Sequence, residues 1–211
     1  MLKLISATPS PYARKVRIAL AEKAIPFELV TEVPWNSTTA TPQYNPLEKL
    51  PVLILPDGTG VYESRFILEW IEAKHPAPPM LPEDVDQRLF ARQVEVVADG
   101  VCDALVVLFW ERQRPEGQQS IEWKARQMRK VDGGMAAIAG WVGTKPFLVG
   151  GQFGLADIAA GTVCGYLDVR FPDYPWRSRH PDLSDYSDAL ELRPSFAGSV
   201  PVAQMISDKV V

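Results

Sequence analysis

Ser10 and Pro11 stand where a short apolar run gives way to helical spacing. Serine is a preferred N-cap residue and proline is tolerated at the first helical position, so the pair predicts a helix N-terminus. Such an end has unpaired N–H groups and the positive pole of the helix dipole, and it favours an anion. A serine hydroxyl there can donate a hydrogen bond to a thiolate, since helix N-termini lower a thiol pKa from about 8.5. The simpler alternative is that Ser10 only caps the helix.

A second chemical feature is the stretch Asn45-Pro46-Leu47-Glu48-Lys49-Leu50-Pro51-Val52-Leu53. A proline at the start of a strand removes a ladder donor, so Pro51 fits a strand start or an edge. If the Leu50–Pro51 bond is cis, the chain turns and Leu50 offers its backbone N–H and C=O to a ligand. An extended peptide could then pair with that backbone as an added strand would. The alternative is an ordinary loop proline.

Glu63 and Ser64 precede a second helical pattern. Together they could hold both ends of an amino acid. The ammonium would meet Glu63, and the carboxylate would meet the Ser64 hydroxyl and the helix N–H groups. The alternative is a plain cap, with Ser64 at the N-cap position.

A fourth feature, the Gly150–Asp157 stretch, lies in the helical part of the chain and reads Gly-Gly-Gln-Phe-Gly-Leu-Ala-Asp. Asp157 follows Gly154 by three residues, so its carboxylate can accept a hydrogen bond from the backbone N–H of the cap, as in a capping box. We interpret this feature as structural.

The elements that must position these residues follow from periodicity in the first 75 residues. We predict a strand over 2–6, a helix from Ser10 that ends before Pro26, a strand over 27–33, a hairpin of strands at 51–55 and 61–62, and a helix from Ser64. The order is βαββα.

Four prolines then interrupt the chain and predict a stiff linker: Pro76, Pro78, Pro79 and Pro82. Long helical patterns follow. We predict helices over 87–112, 121–142 and 155–169, with shorter helical pieces over 181–192 and 195–206. The predicted domains are therefore a mixed domain over 1–76, a linker over 77–86 and an all-α domain over 87–211.

Composition excludes several classes of protein. The net charge of −4 argues against a nucleic-acid surface. The two cysteines and two histidines lack metal-ligand spacing, so no metal site is expected. No apolar run approaches the roughly 18 residues of a membrane span, and no signal peptide opens the chain, so a soluble cytoplasmic protein is expected.

The motifs in their order along the chain resemble cytosolic glutathione transferases. The matching motifs are Ser-Pro-x-x-Arg-Lys-Val-Arg, Asn-Pro-x-x-Lys-Leu-Pro-Val-Leu, Glu-Ser before a helix, and Gly-x-x-x-x-Ala-Asp-Ile. The resemblance covers essentially the whole chain and is greatest to the bacterial, serine-type branch related to the theta and zeta classes. It implies an α+β/α fold: a thioredoxin-like βαββα N-terminal domain followed by an all-α helical-bundle C-terminal domain.

The resemblance also implies roles for individual residues, with glutathione as co-substrate. Ser10 matches the catalytic serine that steadies the glutathione thiolate. Leu50, before Pro51, matches the residue whose backbone pairs with the cysteinyl unit, and Lys49 matches the basic residue that reaches the glycyl carboxylate. The remaining matches are Glu63 and Ser64 for the γ-glutamyl end and Asp99 for the γ-glutamyl group bound to a partner subunit.

An electrophile pocket is expected between the two predicted domains. Its candidate walls include Pro9, Tyr12, Val106, Phe109 and Trp110. These residues suit a hydrophobic second substrate, and the alternative is that they form domain-interface core.

We also expect a homodimer joined through the long helices, because the helix over 87–112 carries apolar residues off its main stripe. The main stripe holds Val94, Val97, Val101 and Leu105, and the residues off it are Val96, Ala98 and Val107.

Two other functions fit the same motifs. One is a glutathione-binding or regulatory protein that keeps the fold without catalysis, since fold does not decide function. The other is a glutathione-dependent isomerase or lyase, which the Ser10–Ala13 stretch disfavours because the zeta-type signature carries a cysteine there. Dithiol exchange from this stretch is excluded because it holds no cysteine.

Overall fold

A computed structural model describes all 211 residues of the chain. They form two compact units. The first unit comprises Met1–Met80 and Arg193–Val210, and the second comprises Leu81–Leu192 together with Val211.

The first unit is built on a four-stranded mixed sheet with the strand order β2-β1-β3-β4. Its elements are β1 (Leu2–Ser6), α1 (Pro11–Glu22), β2 (Phe27–Thr31), α2 (Thr41–Tyr44), β3 (Val52–Ile54), β4 (Gly60–Tyr62) and α3 (Ser64–Lys74). β1 runs parallel to β2 and antiparallel to β3, and β4 is antiparallel to β3. The predicted βαββα order is confirmed, with one short helix, α2, that the sequence did not indicate.

The first unit encloses a core between its sheet and the helices α1 and α3. Fully buried residues come from the strands and from both helices, and include Leu4, Val16, Leu20, Leu53, Ile67 and Ile71. The helical spacing of apolar residues therefore marked the core-facing sides of α1 and α3 correctly.

The second unit is all helical. Its elements are α4 (Val85–Gln113), a 3₁₀ turn (Glu116–Gln118), α5 (Ile121–Val142), α6 (Leu155–Arg170), α7 (Trp176–Arg179) and α8 (Pro181–Glu191). The predicted bounds of α5 are confirmed, and those of α4, α6 and α8 differ from the prediction by one or two residues. α6 is the central helix, since every residue from Leu155 to Leu167 is buried.

The prediction of a helix over 195–206 is wrong. A short helix, α9 (Pro194–Ala197), is all that forms there, and the chain beyond it is not helical. Gly198 is the next residue and Pro201 lies three residues further on, and both oppose helix continuation.

The predicted assignment of the C-terminal residues to the helical domain also differs from the structure. Arg193 makes a bidentate contact with Glu22 of α1, at 3.1 Å from Nε and 2.8 Å from Nη2. The Arg14 guanidinium donates to the Phe196 carbonyl at 3.3 Å. These side chains couple residues that are distant in sequence, so local periodicity could not reveal which unit they join.

The predicted linker also begins later than expected, because residues 77–80 pack with the first unit. The Lys23 ammonium, whose side chain is fully buried, lies 2.8 Å from the Glu72 carboxylate and donates to the carbonyls of His75 and Pro78. Met80 is buried in the same unit. No helix combines the length and apolar character that crossing a bilayer requires.

Candidate functional site

Three predicted site segments converge on one end of the sheet in the first unit. Ile5 near the end of β1 pairs with Val52 at the start of β3, and Val52 pairs with Tyr62 at the end of β4. The loop that follows β1, the loop that precedes β3 and the turn that follows β4 therefore leave the sheet side by side. Those three segments carry Ser10, Lys49–Pro51 and Glu63–Ser64.

Ser10 is the N-cap of α1, as predicted. Its Oγ accepts a hydrogen bond from the Ala13 N–H at 3.2 Å, and Pro11 occupies the first helical turn. The cap uses a lone pair of the oxygen, so the hydroxyl proton remains available for donation. Ser10 is half-buried. A thiolate beside it would meet that proton together with the positive end of the α1 dipole.

The loop before β3 holds a cis peptide bond between Leu50 and Pro51, as the sequence interpretation required. Pro51 is buried and Leu50 half-buried, and the strand ladder begins only at Val52. Lys49 is exposed, which leaves its ammonium accessible to a carboxylate.

Asn45 holds this loop in place and had no role in the sequence analysis. It is 2% exposed, its Nδ2 donates to the Lys49 carbonyl at 2.8 Å, and its Oδ1 accepts from the Leu47 N–H at 2.9 Å. The Asn-Pro dipeptide was the available signal, because asparagine side chains in turns bond to the nearby backbone.

Glu63 has a left-handed backbone conformation, with φ 73°. For residues other than glycine this region costs roughly 1–3 kcal/mol, and residues held there cluster at active sites and ligand clamps. Glu63, rather than Ser64, is the N-cap of α3, because its carboxylate accepts from the Arg65 N–H at 3.2 Å. Ser64 is the first helical residue, which corrects the predicted cap. Its hydroxyl lies 3.5 Å from the same carboxylate.

The other predicted site residues fall in both units. Pro9 is buried and Tyr12 half-buried in the first unit. In the second unit, Val106, Phe109 and Trp110 are half-buried on α4, where the two aromatic rings meet edge to face at 5.1 Å.

Asp99 lies on α4 and is 3% exposed within its own unit. That burial leaves little of the carboxylate for a ligand on a partner subunit. Its contact with a ligand on a partner subunit stays a prediction.

Asp157 has the structural role that the sequence indicated. Its carboxylate accepts from the Gly154 N–H at 2.8 Å and from the Leu148 N–H at 2.7 Å, and it also bonds with the Tyr186 hydroxyl. Burial raises the pKa of Asp157 above its ordinary value, although these three donors oppose the rise. The group stabilises the start of α6 and takes no part in the sheet-end site.

Neither cysteine is placed to act as a nucleophile. Cys102 and Cys164 are both buried, and neither forms a disulfide. Burial raises the pKa of Cys164 to about 12, so its thiol does not ionise at neutral pH. No cluster of three His, Cys, Asp or Glu side chains suited to a metal ion occurs in the chain.

Comparison with known proteins places this geometry in a family. Residues 9–74 match the N-terminal domain of the glutathione S-transferases, and residues 121–189 match the C-terminal domain. The uncharacterized GST-like protein YibF of Escherichia coli (strain K12) is 37% identical over 202 residues, which cover 95% of this chain and 98% of YibF.

Two solved structures are similar along nearly their whole length. A glutathione S-transferase from Methylobacterium radiotolerans, in complex with glutathione sulfonate, is 64% identical with a TM-score of 0.98, covering 100% of this chain and 99% of its own. A glutathione S-transferase from Methylobacillus flagellatus with glutathione bound is 38% identical with a TM-score of 0.91, covering 96% and 100%. The chain belongs to the glutathione S-transferase superfamily, with its thioredoxin-like and helical domains. The finer serine-type, theta/zeta-related assignment stays a prediction.

Proposed function

We propose that this protein is a glutathione transferase that binds glutathione at the sheet end of the first unit and activates its thiol at Ser10. The observation that carries the proposal is the Ser10 hydroxyl at the N-terminus of α1, beside the two other segments that leave the same end of the sheet. The bound glutathione and glutathione sulfonate of the two solved relatives support it.

Each segment has a task in this proposal. Ser10 donates a hydrogen bond to the sulfur and favours the thiolate. The Leu50 backbone pairs with the cysteinyl unit, and Lys49 binds the glycyl carboxylate. Glu63 and Ser64 bind the ammonium and carboxylate of the γ-glutamyl end. In this proposal the two ends of the tripeptide and its sulfur are bound by different groups, so affinity and thiol activation rest on different residues.

The chemical step is attack of the thiolate on an electrophilic carbon. The thiol proton passes to solvent, the sulfur–carbon bond forms, and a leaving group departs with the electron pair of its bond. That Pro9, Tyr12, Val106, Phe109 and Trp110 bind the electrophile stays a prediction. A cytoplasmic location belongs to the same proposal, because glutathione keeps thiols such as Cys102 and Cys164 reduced there.

The direct test measures two quantities on one preparation: glutathione affinity by calorimetry and thioether formation with aryl halides by absorbance. Binding with saturable thioether formation supports the transferase. Binding without transfer to any electrophile would favour the non-catalytic glutathione-binding protein. Turnover of a substrate with glutathione regenerated would favour the isomerase or lyase.

We also propose a homodimer formed through α4 and α5. An apolar stripe on α4 faces away from the core of its unit: Val96 is 52% exposed and Val107 38% exposed, and Val85 and Leu89 continue the stripe. Ala98, which the sequence interpretation also placed off the core, is buried in its own unit. An exposed apolar stripe of this kind is typical of an interface between copies.

Light scattering tests the dimer. We expect twice the 23.4 kDa chain mass, or 46.8 kDa. Val96→Lys places a charge in the stripe and should return the mass to that of one chain, whereas Leu192→Lys, at a residue 85% exposed, should not. A wild-type mass of one chain would contradict the dimer and any role for Asp99 across it.

A further inference from the structure

Arg170, the last residue of α6, carries a cation without a counter-ion in the chain. Its guanidinium carbon lies 4.4 Å from the centre of the Phe109 ring, and the residue is half-buried. The chain supplies it with no hydrogen bond and no ion pair. Burial lowers the pKa of Arg170, which reflects partial loss of water around the guanidinium.

Two acidic side chains near Arg170, one on α6 and one on α4, are engaged elsewhere. Asp168 binds Arg177 at 2.7 Å. Glu111 of α4 accepts from the Ser120 N–H at 2.7 Å. The positive charge of Arg170 therefore has no neutralising partner in the unit.

Tyr166 lies one helical turn before Arg170, on the same face of α6. It is 5% exposed, and its hydroxyl makes no hydrogen bond within the chain. The hydroxyl oxygen still has some solvent-accessible surface. A ligand atom that accepts a hydrogen bond would satisfy this hydroxyl.

Aromatic rings complete the surroundings. Phe109 packs under the guanidinium, and Trp110 meets Phe109 edge to face. Both rings are half-buried, so part of each is open to contact with a flat or unsaturated group.

We propose that Tyr166 and Arg170 form an anion subsite that binds a carboxylate or sulfonate group on a planar organic ligand. This inference rests on the proposed function in one respect: it takes the ligand to be the second substrate of the transferase. It narrows the electrophile from any hydrophobic compound to one that carries an anionic group.

The position of Arg170 also has a purely structural explanation, which determines the control variant. A cation at a helix C-terminus is favoured by the dipole, and stacking on a ring adds to this. Arg112 of α4 has the same arrangement in reverse, with its guanidinium carbon 4.5 Å from the centre of the Phe171 ring. Arg112 is exposed, whereas Arg170 is half-buried next to Tyr166. Arg112→Met therefore removes the same group from the same pair of helices outside the proposed subsite.

The experiment uses two electrophiles that differ in charge, 4-chloro-3-nitrobenzoate and 4-chloro-3-nitrobenzamide. In both, the sulfur–carbon bond replaces the carbon–chlorine bond and chloride leaves. Wild-type protein should prefer the benzoate in kcat/KM. Arg170→Met should lower the benzoate/benzamide preference about 10- to 100-fold, the range of a charge-assisted hydrogen bond. Arg112→Met should leave the preference unchanged. Calorimetry with each compound in the absence of glutathione gives a second readout of the same preference.

Tyr166→Phe separates a binding role from a packing role. The hydroxyl has no partner in the chain, so its removal should leave the melting temperature equal or higher. The same variant should lower benzoate affinity severalfold and leave benzamide affinity unchanged. A lower melting temperature with an unaltered benzoate preference would mean that the hydroxyl serves packing only.

The outcomes separate this inference from the proposed function. Transfer to both compounds without preference, or equal effects of Arg170→Met and Arg112→Met, would overturn the subsite and leave the transferase standing. No transfer to either compound or to any other electrophile, with Arg170-dependent binding of the benzoate, would support the subsite and overturn the transferase.

Discussion

In the first unit the candidate glutathione contacts depend on backbone conformation, with Ser10 and Glu63 at helix N-termini and Leu50 before a cis proline. In the second unit the proposed anion subsite depends on side chains, since Tyr166 and Arg170 belong to one helix and Arg170 stacks on Phe109 of another. The first arrangement suits a ligand that does not vary, because the backbone of a loop changes little with side-chain substitution. The second can change with a single substitution, so it suits a substrate that differs between relatives.

The largest expected effect concerns the C-terminal segment from Arg193, which the sequence prediction assigned to the helical domain and which the structure has in the first unit. Phe196 is fully buried in the first unit, with the Arg14 guanidinium 5.2 Å from its ring centre. Phe196→Ala should destabilise that unit by about 3–5 kcal/mol, as other large-to-small core changes do. Hydrogen exchange should show faster exchange in α1, with α6 little affected.

Leu192→Ala is the matched control for Phe196→Ala, because Leu192 is nearby in sequence and 85% exposed. It should leave exchange in α1 unchanged. Equal protection of α1 in both variants would contradict the division into units at Arg193.

Ser10→Ala sharpens the comparison by removing a single hydroxyl from the site and leaving the backbone of the three segments in place. The rate of thioether formation should fall about 10- to 100-fold, because a hydrogen bond to a charged group is lost. Glutathione affinity should change much less. The pH–rate profile should shift to higher pH, as the bound thiol returns toward a pKa of about 8.5.

Ser10→Thr keeps both the hydroxyl and the helix cap, so it should restore most of the rate. An unchanged pH profile in Ser10→Ala would remove Ser10 from thiol activation and leave it as the cap of α1.

Glu63→Gln tests whether the strained residue binds the γ-glutamyl ammonium. The amide oxygen can still cap α3, but the charge is lost, so glutathione binding should weaken by about 2 kcal/mol. Ser64→Ala should weaken binding in the same way at the carboxylate. Calorimetry measures both, with Glu28→Gln, an exposed acid of β2, as the control. Wild-type affinity in both site variants would mean that glutathione is anchored elsewhere.

The smallest effect concerns packing that supports the second unit. A Cβ at Gly134 of α5 would lie 2.2 Å from Cγ2 of Val101, a buried and stiff side chain of α4. Gly134→Ala should therefore destabilise the unit by about 1–2 kcal/mol. Gly133→Ala, where a Cβ meets nothing within 4 Å, should stabilise α5 by up to about 1 kcal/mol. If thermal unfolding shows that both variants change the stability in the same direction, then α4 has moved away from α5 to make room for the methyl group at position 134.

Local signals in the sequence were sufficient to predict much of the fold and the candidate site. The bounds of α5, the cap at Ser10 and the capping box at Asp157 depend on residues within a few positions of one another. A helix cap or a period of apolar residues is a property of one segment, so it can be recognised in the sequence without knowledge of any tertiary contact. The same holds for Pro51 at the start of a strand and for Glu63–Ser64 before a helix.

Only the tertiary structure decided which distant residues meet. The pairing of Ile5 with Val52 and of Val52 with Tyr62 brings the three site segments to one end of the sheet. The binding of Arg193 to Glu22 carries the C-terminal segment to the first unit, and the stacking of Arg170 on Phe109 leaves a cation unneutralised. These contacts join residues that are from 10 to 171 positions apart. No periodicity or cap encodes them, because they depend on how complete elements pack rather than on the residues of any one element.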